Sequence, residues 1–93
     1  MMRMKPNWGH LDEAYGPVRE IEEVLGERRY QNQKWGWPRG LPDLMWMPIL
    51  AEEVGEVATA ILKNIAGTAT ADEVRSELVD VAAVAIAWME DRG

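Results

Sequence analysis

The chain has no cysteine and a single histidine, His10, among its 93 residues. Without cysteine there are no disulfides and no thiolate metal sites, and nothing argues for export, so a cytoplasmic location is the default expectation. His10 stands outside every helical pattern and reads as a surface residue rather than a ligand or base. Its isolation removes two chemistries. Carboxylate-bridged di-iron bundles need Glu-x-x-His on two of their helices, and a Ser-His or Cys-His nucleophile pair cannot be assembled. Gly-rich phosphate loops are missing too. The longest apolar run, Val81–Met89, is too short to span a bilayer, and the opening "MMRMKPNWGH" lacks the apolar core of a signal peptide. No membrane association is expected.

Basic residues are scarce beside acidic ones, 10 against 16, for a net charge of -6. The field of such a protein repels nucleic-acid backbones, so nucleic acid is not an expected partner. A phosphate-bearing small molecule remains open if a divalent cation reverses the local sign. What the chain has in quantity is apolar residues, 47% with five Trp and six Met. That composition is globular, but one domain of this length buries only a modest share of its surface when folded alone.

Residues 1–16 carry Pro6, Gly9 and Gly16 with little periodicity and read as an N-terminal extension; 17–93 read as the folded domain. Pro17 suits a first helical turn, and Val18, Ile21, Val24 and Leu25 recur at helical spacing through "PVREIEEVLGERRYQNQK". Arg28 and Arg29 are expected on the exposed face of this helix. "WGWPRGLPD" (35–43), with two Gly and two Pro, is a connecting loop. A second helix is expected from about Leu44 to Ile65, with Pro48 tolerable only near its first turn, so that its regular part begins closer to Met47. Gly67 is a natural stop. Thr70 and Glu73 have capping-box spacing and open a third helix that runs to about Asp91. No period-two alternation of useful length occurs, so the fold is expected to be all-α.

Carboxylates lie in unexpected places on two of these helices. On a helical wheel, Leu50, Val54, Val57 and Ile61 centre an apolar stripe on the second helix. Glu53 lies at its edge, Glu56 one turn further along, and Glu52 stacks with Glu56 at i, i+4. On the third helix Glu77 falls among Val74, Val81, Val84 and Trp88, with Asp80 its i+3 neighbour. Glutamate favours helices, and acidic runs commonly form solvated faces. A carboxylate set against a core is different, because desolvation costs several kcal/mol unless a cation compensates. Lys63 and Arg75 are too few to neutralise five acids, and Arg75 projects away from Glu77. Hard oxygen ligands from two helices suit magnesium or manganese, which leave positions free for substrate phosphates.

The pairing of "EEVGE" (Glu52, Glu53, Glu56) with "ELVD" (Glu77, Asp80) resembles the Glu-Glu-x-x-Glu and Glu-x-x-Asp signature of the MazG-like nucleoside triphosphate pyrophosphohydrolases. "ERRYQNQKWG" (27–36) resembles the lead-in of small phage and bacterial members. The likeness covers roughly residues 17–91. It implies an all-α fold, a helical hairpin plus an N-terminal helix, in which protomers build a four-helix-bundle homo-oligomer, dimer or tetramer. It also implies Mg2+-dependent (or Mn2+-dependent) cleavage of a nucleoside triphosphate to the monophosphate and pyrophosphate. By position, Glu53, Glu56, Glu77 and Asp80 would be metal ligands, with Glu52 completing the shell or orienting the attacking water. Lys34 and Trp35, in the family-like lead-in, are candidate substrate contacts. Lys63 is placed either to touch a phosphate or to pair with Glu56. Trp37 could stack on a base from the loop, whereas Trp46 and Trp88, at helical positions, are better read as core or interface.

Independently of the resemblance, the third helix is apolar almost all round from Val79 to Met89 and needs cover on every side, which two other helices can hardly provide. An oligomer with that helix near its centre is therefore expected. The competing reading is a non-catalytic oligomeric helical module whose acids bind a cation or nucleotide without cleaving it.

Overall fold

The computed structural model describes residues 16–93, so His10 and all but the last residue of the expected extension lie outside the described residues. Among the described residues there are three helices and no strand: α1 (Val18–Trp35), α2 (Asp43–Ile65) and α3 (Ala71–Arg92). The all-α expectation holds, and the boundaries have local causes. Pro17 O accepts from the Ile21 amide at 3.0 Å to close the first turn of α1, and α1 stops at Gly36, whose φ of 82° a side chain would strain. Beyond α2, Thr68 N–H donates to Lys63 O at 2.9 Å and Gly67 N–H to Asn64 O at 3.1 Å. These are the two bonds of a Schellman motif, with Gly67 at φ 79° in the left-handed position. Thr70 caps α3 by accepting from the Glu73 amide at 3.4 Å.

α3 is the central post. It packs against both α1 and α2, while those two make no close backbone approach to each other. Arg75, near the start of α3, pairs with Glu20 and Glu23 near the start of α1, so these two helices run parallel. Asp43, at the start of α2, accepts from the Trp88 indole at 2.7 Å and pairs with Arg92 at the end of α3, so α2 runs antiparallel. The core lies at this end, where Trp46, Val84 and Ala87 are buried against Leu41, Ile49, Leu50 and Trp88. Trp46 is fully buried, as its helical position suggested, and its indole N–H donates to Asp91 at 2.9 Å.

Asp91 also accepts the amides of Arg39 at 3.1 Å and Leu41 at 3.0 Å. The Leu41 amide above all, with the Trp46 indole and other loop amides, holds the Asp91 carboxyl below its ordinary range. One side chain thereby moors the 36–42 loop to the end of α3. The same moorings explain why α2 begins at Asp43 and keeps Pro48 inside, rather than starting near Met47. Asp43 and Trp46 are tied to α3, and that anchorage offsets the one hydrogen bond Pro48 removes.

Two expectations about faces fail. Arg28 is buried, not exposed: it donates to Glu90 at 3.1 Å and to Gln31 Oε1 at 3.1 Å, and the buried Gln31 in turn donates to Glu27 at 3.5 Å. A guanidinium with two acceptors tolerates burial, and the aliphatic stem packs where an apolar side chain would. Arg29 is exposed. On α2, the line Leu50–Val54–Val57–Ile61 does not face the core as a unit. Leu50 and Val57 turn partly inward, but Val54 (52% exposed) and Ile61 (43%) turn outward. α2 is apolar around most of its circumference, so the wheel alone could not say which arc meets α3.

The outward arc is itself regular. Leu44, Met47, Ala51, Val54, Ala58, Ile61 and Ile65 recur at alternating steps of three and four, and all are exposed. On α3, Leu78 and Met89 are exposed as well. The longest uncovered apolar stripe therefore lies on α2 rather than on α3.

Arg28→Ala should cost about 3 kcal/mol, the lower end of the range for breaking a buried pair because Glu90 keeps partial contact with water. Arg29→Ala should change stability by less than about 0.5 kcal/mol. Chemical denaturation of the two variants checks the contrast.

Candidate metal centre

Because α1 and α2 lean on α3 without touching, a cleft of about 650 Å³ opens between them, with Asp80 and Val84 of α3 at its floor. Glu52, Glu53 and Glu56 enter it from α2, and Glu27, Tyr30 and Gln31 from α1. The spacing of the acids explains the placement. On α2 the 53/56 step keeps two carboxylates on one side of the helix, and on α3 the 77/80 step does the same.

One carboxylate oxygen from each of Glu53, Glu56 and Glu77 lies within 4.8 Å of the others. Asp80 lines the same cleft beside this triad, and Glu52, which is exposed, sits at its rim. The electrostatics are those of acids without a counter-cation. Burial first, then the charges of Glu56, Asp80, Glu77 and Glu52, pushes the Glu53 carboxyl up to about 7. Asp80 is also raised, by burial, then by Glu27, with Glu56 adding to the rise and a hydrogen bond to Glu77 opposing it. No lysine or arginine contributes to either shift.

Glu77 Oε2 is sealed from water and has no hydrogen-bond partner, alone among buried side-chain oxygens and nitrogens of the described residues. A lone pair buried this way costs free energy unless a donor or a cation supplies the missing interaction. Three converging carboxylates, one of them with an orphaned oxygen, and a floor aspartate form a hard, all-oxygen donor set of the kind magnesium and manganese accept. The residues present fit the ion.

The other expected site residues divide. Trp35 lines the cleft and is 52% exposed. Lys34 stands over the Trp35 ring at 4.5 Å and the Tyr30 ring at 5.9 Å, and does not itself line the cleft. Lys63 makes no ion pair among the described residues; it lines a second, shallower pocket of about 460 Å³ with Glu56, Glu73 and Glu77. Trp37 turns from the cleft and donates to Glu90. Arg75 is engaged by Glu20 and Glu23 of α1.

Sequence reasoning passed over Glu27, Tyr30, Gln31 and Arg39. Glu27 and Gln31 belong to the same lead-in as Lys34 and Trp35, and their four-residue step from one to the other was the available signal. Arg39, in a Pro- and Gly-rich loop, carried none.

Comparison with protein-family models, curated proteins and solved structures finds no match to this chain.

Because the folded-state pKa of Glu53 lies above its unfolded value, the folded form binds the extra proton between about pH 4.5 and 7. Without divalent cations, stability should therefore be greatest at the acid end of that window and fall as pH rises through 7. Thermal melts in EDTA at pH 5, 6, 7 and 8 should show the decline, and Glu53→Gln should make it shallower.

Proposed function

We propose that this chain is a MazG-like, Mg2+-dependent nucleoside triphosphate pyrophosphohydrolase that cleaves its substrate to the monophosphate and pyrophosphate. The observation that carries the reading is the convergence of carboxylate oxygens of Glu53, Glu56 and Glu77 to within 4.8 Å of one another, with one oxygen of Glu77 left without a partner. The residue pattern "EEVGE…ELVD" supplies the reaction class. Glu53, Glu56, Glu77 and Asp80 hold the ion. When bound, magnesium neutralises phosphate charge and lowers the pKa of coordinated water.

The chain's own groups then have distinct tasks. Glu52, at the exposed rim and outside the converging triad, orients the attacking water. Trp35 supplies an apolar surface on the cleft wall, against which a base can stack. A water oxygen bonds to the α-phosphorus as the bond from that phosphorus to the bridging oxygen breaks, so that pyrophosphate leaves with the bridging oxygen and the water's protons pass to the products and solvent. The high carboxyl pKa values result from packing like charges together, an arrangement that disfavours the metal-free site and favours cation uptake.

The protein acts as a homo-oligomer, dimer or tetramer. What supports this is the exposed α2 stripe from Leu44 to Ile65, whose three-four repeat is that of a helix-bundle seam. A contiguous apolar strip of this kind is rare on soluble monomers.

Purified protein with magnesium and a panel of deoxy- and ribonucleoside triphosphates should release pyrophosphate and monophosphate in equal amounts. Glu53→Gln should lower turnover at least about a hundredfold while its helical circular dichroism is retained. Binding of nucleotide without release by the wild type would instead favour the non-catalytic cation- or nucleotide-binding module. For assembly, light scattering should give a dimer or larger species, and Val54→Glu, at the centre of the stripe, should shift it toward monomer. A monodisperse wild-type monomer at micromolar concentration would refute the oligomer.

A further inference from the structure

The cleft has two unlike ends. Toward the middle of α2 stand the acids; toward the loop stands Arg39, the only arginine or lysine that lines it among the described residues. The Arg39 guanidinium lies between two indoles, 4.7 Å from the Trp35 ring centroid and 4.9 Å from that of Trp46. Among the described residues it makes no ion pair, and its only hydrogen bond is through its backbone amide, to Asp91. Its side-chain nitrogens are not among the atoms sealed from water without a partner, so the donors are open rather than stranded.

An arginine so placed is held for a reason other than a protein partner. Cation–π contact with two indoles engages the guanidinium charge while leaving its fork of N–H donors without a protein acceptor. Trp46 is fully buried and anchored to Asp91, and the same carboxylate fixes the Arg39 backbone, so the fork is pre-positioned from both sides.

Position decides which part of a ligand this fork meets. Trp46 and Glu53 are seven residues apart on α2, two helical turns, or about 10 Å of rise. A nucleotide with its phosphates at the acids reaches the loop end with its base.

We propose that Arg39 reads the base, and that it selects a base with two neighbouring hydrogen-bond acceptors. Guanine offers O6 and N7, and cytosine offers O2 and N3. Adenine places an amino donor beside each ring acceptor on its outer edges, and thymine places N3–H between its two carbonyls, so neither presents such a pair to a donor-only fork. The inference rests on the cleft being the nucleotide site and adds to it the substrate class.

Two readouts keep the inference separate from the hydrolase reading. In magnesium buffer, tryptophan fluorescence titrations with dGMP, dCMP, dAMP and dTMP require no turnover. dGMP or dCMP should bind about tenfold or more tighter than dAMP and dTMP, the scale of one bidentate base contact; the better of the two names the base. Arg39→Lys, which keeps the charge and can keep the cation–π contact but loses the fork, should bring all four within about threefold by weakening the preferred ligand, with its thermal melt unchanged. Equal binding of all four by the wild type would overturn the inference, as would a preference for adenine. So would uniform weakening of all four in Arg39→Lys, which would make Arg39 a phosphate contact. Pyrophosphate release without base preference would retain the hydrolase and remove this inference; base preference without release would do the reverse.

Discussion

α1 and α2 each pack on α3 and not on each other, and the cleft, its exposed acids and its aromatic end all depend on that single arrangement. A helix hairpin with a third helix closing over it would have buried the acids of α2 and α3 outright, at a desolvation cost of several kcal/mol each. Leaving the α1–α2 gap open keeps Glu52 and Glu56 exposed and Glu53 only partly covered. The helices are held to α3 by polar contacts at both ends: Arg75 with Glu20 and Glu23, and Asp91 with the loop and Trp46. The cleft is thus a consequence of where the apolar contacts run out.

Within that cleft the charge distribution is strongly one-sided. Five acids stand against one arginine, and the arginine comes from the loop before α2, against Trp46, two helical turns ahead of Glu53. The raised pKa of Glu53 and the orphaned Glu77 oxygen are two signs of one imbalance. A protein selected for stability alone would replace such groups with apolar ones. The imbalance at these carboxylates is the physical basis of the proposed cation site.

The outer surface shows a second imbalance. α2 has two apolar arcs, one toward α3 and one toward solvent, and a lone protomer satisfies only the first. Single exposed apolar residues are ordinary, but seven in a three-four repeat along one helix form a continuous face. The acidic edge lies between the two arcs.

Much of this was legible in the residues. Helix starts and stops were readable because Pro17, Thr70 and Gly67 act through their immediate neighbours, by fixed φ, a capping hydroxyl and a left-handed turn. Three- and four-residue steps put Glu53 with Glu56 on one side of α2 and Glu77 with Asp80 on one side of α3, whatever surrounds each helix; that Glu77 meets Glu53 and Glu56 is decided by how α3 packs on α2. What one-dimensional periodicity could not determine is which arc of a mostly apolar helix meets its neighbour, so Val54 and Ile61 were expected inside and lie outside. Arg28 was misplaced for the complementary reason: a charged side chain is buried only when acceptors distant in sequence, here Glu90, are brought to it. Arg39 depended on tertiary structure entirely. Its environment is built by Trp35, Trp46 and Asp91 from three different helices, and no local spacing encodes an encounter among them. The sequence by itself determined the helices and the acidic faces, because those arise from contacts within one turn. Tertiary structure alone decided the cleft, the buried arginine and the cation at its aromatic end, because those arise from which helices fail to touch.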